Sequence, residues 1–234
     1  MIISLLPLPG ALTRDLLTES DKDMKSRPSR EGPGRLIILS APSGAGKTSL
    51  CRAAVREHPN LTHSVSYTTR KPRPGEEDGR DYYFVDRPAF EKMVAAGEFL
   101  EWALVHGNLY GTSKRVIREI QERGSDVILD VDAEGAQKLM AEEGLKAVFI
   151  FVTTPTFSDL ERRLRDRATD PETEIQRRLE RAREEIAQYS KYDYLLINDD
   201  FNAALEDLIC ILRSSRCRVN EVDPKWVETA LLTG

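Results

Sequence analysis

The stretch Leu36-Ile37-Ile38-Leu39-Ser40-Ala41-Pro42-Ser43-Gly44-Ala45-Gly46-Lys47-Thr48-Ser49 decides how the chain is read. Four apolar residues bounded by small and turn-forming ones predict a fully buried strand. A glycine-containing loop and Lys47-Thr48 follow and open a helical pattern. A strand that ends this way builds a cradle for phosphate, because the N–H groups of the loop and of the first helical turn converge where the helix dipole also favours negative charge. Gly44 and Gly46 lack a Cβ and can take positive φ, so the backbone can close around phosphate oxygens. Lys47 supplies a cation between transferring and leaving phosphates, and the Thr48 hydroxyl is a ligand for Mg²⁺. The general pattern asks for glycine where this chain has Ala41. A plain strand-to-helix turn with a solvated lysine does not account for two glycines, Lys47 and Thr48 fitting one site.

Around this stretch, 234 residues suffice for one substantial α/β domain with small insertions, or for two domains. A net charge of −5 and a sequence pI near 5.4 argue against a nucleic-acid-binding surface, and local basic clusters within an acidic chain suit small anions. Cys51, Cys210 and Cys217 have no metal-ligand spacing and are odd in number, which points to a reducing, cytoplasmic setting. No apolar run reaches a membrane span. Residues 1–8 are apolar, but no basic segment precedes them and Asp15, Glu19, Asp21 and Asp23 follow, a poor match to a targeting signal. Residues 26–34 are rich in Ser, Pro, Arg and Gly, so 1–33 is expected to be a flexible leader, with Met24 a second candidate start.

Strand and helix patterns then alternate. Helices are expected at 48–57, 88–96, 113–122, 133–143, 157–168, 172–189 and 202–216. Strands are expected at 64–69, 81–85, 99–105, 108–112, 126–132, 147–152 and 194–198. Strands alternating with helices imply a parallel sheet covered on both faces, with ligands at the carboxyl ends of its strands. Residues 64–112 read as a β-rich insertion hung on this frame.

Several side chains can do chemistry with a phosphorylated ligand. Asp130 ends an apolar strand, where a carboxylate reaches Mg²⁺ directly or through water, and Asp132 lies two residues on. Arg70 and Arg73 project from a loop stiffened by Pro72 and Pro74 and fork readily onto phosphate oxygens, while Tyr82 and Tyr110 can donate hydroxyls. Helical phase places Arg163 and Arg167 beside the stripe Phe157, Leu160, Leu164, and Arg178 beside Ile175, Leu179, Ala182, Ile186. Solvated charge and an arginine lid over a polyphosphate account equally well for these.

The chain from about residue 35 to 216 resembles the guanylate kinases. The resemblance is carried by Ala41-Pro42-Ser43-Gly44-Ala45-Gly46-Lys47-Thr48, Val65-Ser66-Tyr67-Thr68-Thr69-Arg70-Lys71-Pro72-Arg73-Pro74-Gly75-Glu76, Gly107-Asn108-Leu109-Tyr110-Gly111-Thr112, Asp130-Val131-Asp132 and Asn198-Asp199-Asp200-Phe201. Ala41 is ordinary for this family, which usually carries Arg-Gly where this chain has Arg167-Ala168. The resemblance implies a P-loop nucleoside monophosphate kinase fold and the Mg²⁺-dependent reaction ATP + GMP ⇌ ADP + GDP. It implies a kinase domain over 34–218; the leader (1–33) before it and a C-terminal tail (219–234) after it are not covered by the resemblance. Within the domain it implies a core (34–63, 113–155, 191–218), a GMP-binding insertion (64–112) and a lid (156–190).

By the same resemblance Ala41, Pro42, Ser43, Gly44, Ala45, Gly46, Lys47, Thr48, Ser49 and Asn198 contact ATP, and Thr48 and Asp130 hold Mg²⁺. Arg70, Arg73, Tyr82 and Tyr110 hold the GMP phosphate, and Ser66, Glu101, Thr112 and Asp132 the guanine. Lys47, Arg73, Arg163, Arg167 and Arg178 offset charge on the transferring group. Guanine offers two donors on one edge, which a carboxylate such as Glu101 can accept and adenine cannot match. The alternatives are a binding module of this fold without catalysis, and a kinase for another base. Intact Lys47, Thr48 and Asp130 speak against the first, and Glu101 with Asp132 against the second. Neither a nucleic-acid nor a membrane partner is expected, and the oligomeric state is left open.

Overall fold

The computed structural model describes residues 33–105, 107–166, 171–219, 222 and 224–233. It is a mixed α/β fold. Five strands, β1 (Leu36–Ser40), β2 (Leu61–His63), β7 (Asp126–Val131), β8 (Ala147–Thr153) and β9 (Tyr194–Ile197), form a parallel sheet in the order β2-β7-β1-β8-β9. β1 is central and buried along its whole length. Its side chains divide between the two faces by the strand period of two. Ile37 and Leu39 join Leu50 and Ala54 of α1 (Lys47–Glu57) and Leu208 and Leu212 of α7 (Phe201–Ser215). Leu36 and Ile38 join Ile117 of α3 (Lys114–Glu122) and Ala136 and Leu139 of α4 (Ala133–Met140). Each fully buried Ile or Leu contributes about 1.5–3 kcal/mol, so this strand is the anchor from which the loop after it is held.

A second sheet, β4-β3-β6-β5, contains β3 (Tyr67–Thr68), β4 (Tyr83–Phe84), β5 (Phe99–Val105) and β6 (Asn108–Ser113). It packs on α2 (Arg87–Ala95) through Phe90, which stacks on Phe99. The antiparallel pair β5/β6 sets Glu101 opposite Thr112, after an irregularity in register between Phe99 and Glu101. Two further helices, α5 (Phe157–Arg165) and α6 (Glu172–Ile186), are joined by Leu164, Ile175 and Leu179. A short 3₁₀ turn (Tyr189–Lys191) leads into β9.

The sequence expectations need several corrections. The run 64–69 is not one strand. Ser64 N–H still donates to Ile128 O of the parallel sheet, and only Tyr67–Thr68 pair in the second sheet. Its apolar alternation therefore spans a crossing between two sheets, and the short edge strand β2 before it lacks any such pattern. α4 stops at Met140, three residues early, in a turn that runs to Gly144 at φ +80. α6 stops at Ile186. In the stretch expected as a tail, α8 (Pro224–Trp226) is followed by a π-helical turn (Val227–Leu232). Of the expected leader only Pro33 is among the described residues. Among those residues no helix is long and apolar enough to cross a membrane.

Candidate functional site

Side chains cap α2 (Asp86), α3 (Ser113), α4 (Asp132), α5 (Thr156) and α7 (Asp200). α1 and α6 have no side-chain cap; α6 follows Pro171, whereas the cap of α1 is Gly46 at φ +93. The first N–H groups of α1 therefore face the loop formed by Ala41, Pro42, Ser43, Gly44 and Ala45 and are left for an anion. Both glycines are dictated by geometry. Gly44 has φ +95, and a Cβ there would press on Leu164 Cγ at 3.1 Å. A Cβ on Gly46 would fall 2.3 Å from Asn198 Nδ2. That amide nitrogen donates to Ala45 O at 2.6 Å, so Asn198, nearly fully buried, holds the loop from the side of β9.

Parallel pairing of β1 with β7 sets Leu39 beside Asp130 and brings that carboxylate to the loop. Lys47 Nζ lies 2.6 Å from Asp130 Oδ1 and also donates to Val131 O. Thr48 Oγ1 donates to Asp130 Oδ2 at 2.7 Å. A hydroxyl and a carboxylate oxygen this close fit Mg²⁺, a hard cation whose neighbouring ligands stand about 2.9 Å apart in an octahedron. Among the described residues no group of three or more His, Cys, Asp or Glu side chains forms a metal cage. Two protein oxygens suit an ion that takes its other ligands from water and phosphates.

A second cluster lies across the carboxyl end of β7. Thr112 Oγ1 donates to Glu101 Oε1 at 2.6 Å. Gly135 sits between the two carboxylates: a Cβ on it would be 3.2 Å from Asp132 Oδ1 and 3.9 Å from Glu101 Oε2. Burial raises the Glu101 carboxyl above its ordinary value; the Thr112 hydrogen bond opposes this and the charge of Asp132 adds to it. Asp132 Oδ1 caps α4 through Gly135 N–H at 2.8 Å, and Oδ2 accepts from Arg181 at 3.3 Å. Ser66, half-buried, accepts Tyr83 N–H through its backbone oxygen.

The aromatic and basic residues of the second sheet converge as well. The Arg70 guanidinium lies 5.3 Å from the Tyr82 ring centre, and Tyr110 meets Tyr82 edge-on at 5.9 Å. Burial raises the Tyr82 hydroxyl, so it stays a donor at neutral pH. Arg73 is exposed, its backbone N–H tied to Glu76.

The late arginines separate. Arg163 Nη2 donates to Asn198 O at 2.8 Å and Asp199 O at 3.2 Å, and with Gly44, Gly46, Ser49 and Phe201 it lines a cavity of about 380 Å³ beside the loop. Arg178 pairs with Glu174 one turn back on α6. Arg167 lies outside the described residues. Two groups at the site carried no role in the sequence reading. Glu76 grips Arg70, and its signal was its place three residues after Arg73. Arg181 links Asp132 to Glu185, and the i, i+4 spacing of Arg181 and Glu185 was the only trace of it.

The family model for guanylate kinase matches residues 33–215. The curated guanylate kinase of Geobacter sulfurreducens is 49% identical over 189 residues, covering 81% of this chain and 93% of that protein. That of Alkalilimnicola ehrlichii is 47% identical over 197 residues, covering 84% and 97%. The crystal structure of guanylate kinase from Anaplasma phagocytophilum aligns with a TM-score of 0.62 at 31% identity, over 80% of this chain and 89% of that one.

Proposed function

The chain belongs to the guanylate kinase family, and from that premise we propose how its residues carry the transfer of the γ-phosphoryl group of ATP to GMP, giving ADP and GDP. The carrying observation is that one strand end, that of β7, serves two clusters. Asp130 meets Lys47 and Thr48 at the glycine loop, and Asp132 stands across Gly135 from Glu101. A donor and an acceptor nucleotide bound there would present their phosphates to each other.

In this reading the core segments 34–63, 113–155 and 191–218 bind ATP, the insertion 64–112 binds GMP, and 156–190 forms the lid. The loop N–H groups and the α1 N-terminus hold the triphosphate. Lys47 exchanges Asp130 for phosphate oxygens and offsets the charge that develops on transfer. Thr48 and Asp130 hold Mg²⁺, which supplies further neutralisation when bound. Arg70, Arg73, Tyr82 and Tyr110 hold the GMP phosphate, whose attacking oxygen is already anionic, so no general base is needed. Arg163, with Arg167 and Arg178, adds positive charge from the lid, and closure excludes water that would otherwise accept the phosphoryl group.

Base selection falls to Glu101, with Ser66, Thr112 and Asp132. With its Oε1 already bonded to Thr112, the Glu101 carboxylate is held to accept the N1–H and 2-amino donors of guanine. Calorimetric titration with GMP and with AMP tests this reading. GMP should bind and AMP should not, and equal binding of the two would remove guanine recognition from this site.

A further inference from the structure

One carboxylate closes the loop of residues 70–76. Glu76 Oε1 accepts from Arg70 Nη2 and Oε2 from Arg70 Nη1, both at 2.9 Å. The same Oε2 accepts the backbone N–H of Arg73 at 2.7 Å, and Glu76 N–H returns a bond to Arg73 O at 3.0 Å. Gly75, at φ +87, makes the turn that allows this. The Arg70 and Glu76 side chains are only 14% and 19% exposed. Both arginines expected at the acceptor phosphate are therefore registered to one residue, Arg70 through its side chain and Arg73 through its backbone.

The edge of Arg70 that this leaves is informative. A guanidinium carries five N–H groups in a fixed plane. Glu76 takes the two on the end of the fork, and Lys71 O takes the second Nη1–H at 2.8 Å. Neither Glu76 nor Lys71 takes the Nε–H or the remaining Nη2–H, which lie parallel to each other on one side of the plane. The Tyr110 hydroxyl stands near the guanidinium, which lies over the Tyr82 ring. Such a side edge matches two oxygens of a phosphate.

We propose that Glu76 is a positioning residue for the phosphoryl acceptor: it holds the end of the Arg70 fork and the Arg73 backbone so that the side edge of Arg70, beside Tyr82 and Tyr110, is presented to the phosphate of GMP. This rests on the reading of Arg70 as a phosphate ligand. Two effects of Glu76 oppose each other. Its negative charge repels an incoming phosphate, so charge alone predicts that neutralising it tightens GMP. Orientation predicts the reverse.

Steady-state kinetics on the full-length protein separate the two. Glu76→Gln should raise the KM for GMP about tenfold or more while that for ATP stays unchanged, since an ångström of misplacement costs up to about a hundredfold. Glu76→Asp keeps the charge but draws it back by one methylene, and should raise the KM for GMP too. In an Arg70→Ala background the Glu76→Gln change should add less than about twofold, because coupled residues are not additive. An unchanged or lowered KM for GMP in Glu76→Gln, wild-type behaviour of Glu76→Asp, or the same loss with and without Arg70 would overturn the proposal. If Arg70→Ala itself leaves the KM for GMP unchanged, the phosphate-site reading falls and this proposal with it. A damaged Arg70→Ala beside a normal Glu76→Gln sinks this proposal alone.

Discussion

Thr48 Oγ1 stands 2.7 Å from Asp130 Oδ2, although 82 residues separate them in the chain. The contact follows from the sheet order. β1 and β7 are parallel neighbours with Leu39 beside Asp130, so a residue near the carboxyl end of β7 meets the helix that follows β1. The proposed donor site would thus be a product of strand register, and perturbing either end should affect catalysis before it affects folding.

Lys47→Ala tests the cation at this junction. Removing a charge that stabilises the transferring group should lower kcat by about 10²–10³-fold. GMP binding, measured by calorimetry, should be unchanged. Turnover near wild type would remove Lys47 from the chemistry.

Gly46→Ala probes the loop itself. The new methyl would need φ +93 and would fall 2.3 Å from Asn198 Nδ2, breaking the bond to Ala45 O. Backbone strain of this kind costs about 1–3 kcal/mol. The expected result is loss of ATP binding with GMP binding kept; normal affinity for ATP would show that the loop has another accessible form.

Glu101 gives a pH dependence. Burial, the largest cause, raises its carboxyl above the ordinary value. A protonated carboxyl cannot accept two donors from guanine, so GMP affinity should weaken as pH falls, beginning above the usual carboxylate range. Glu101→Gln should remove that dependence and erode GMP-over-AMP discrimination. An identical pH profile in wild type and variant would place the titrating group elsewhere.

Asp126 governs stability rather than chemistry. It is buried at the start of β7, where Arg35 Nη2 and Arg216 Nη2 lie 2.7 and 2.8 Å from its Oδ2. Burial alone would raise its carboxyl, but the hydrogen bonds from Arg35 and then Arg216 outweigh that and lower it. A lowered folded-state value means stabilisation that is present above the unfolded carboxyl's titration and lost as pH falls through the folded one. Asp126→Ala leaves the covered Arg35 charge without its carboxylate, bonded only to the neutral Ser215 Oγ and Leu212 O, and should cost about 3–5 kcal/mol in a urea melt at neutral pH. A loss under about 1 kcal/mol would mean that water replaces the carboxylate freely.

Much of this was legible in the chain because it is local. The strand Leu36–Ser40, the glycine loop and α1 are one continuous pattern, and the apolar runs of β7 and β8 need no partner to be recognised. What stayed hidden depends on contacts between distant residues. Glu101 reads as any glutamate until β5 sets it against Thr112 and β7 brings up Asp132; only the family resemblance marked it. Asp126 reads as a strand residue, and its partners Arg35 and Arg216 lie 91 and 90 residues away. The crossing at Ser64 is not visible in the chain because one alternating run serves two sheets.

The most direct measurement is a coupled assay of ADP release with ATP and Mg²⁺, offering GMP, AMP, CMP and UMP separately. Turnover with GMP and none with the other three is the predicted result. Turnover with another base, or GMP binding with no ADP release, would contradict the account: the first would displace Glu101 and Asp132 as guanine readers, the second would leave a binding module in place of a kinase.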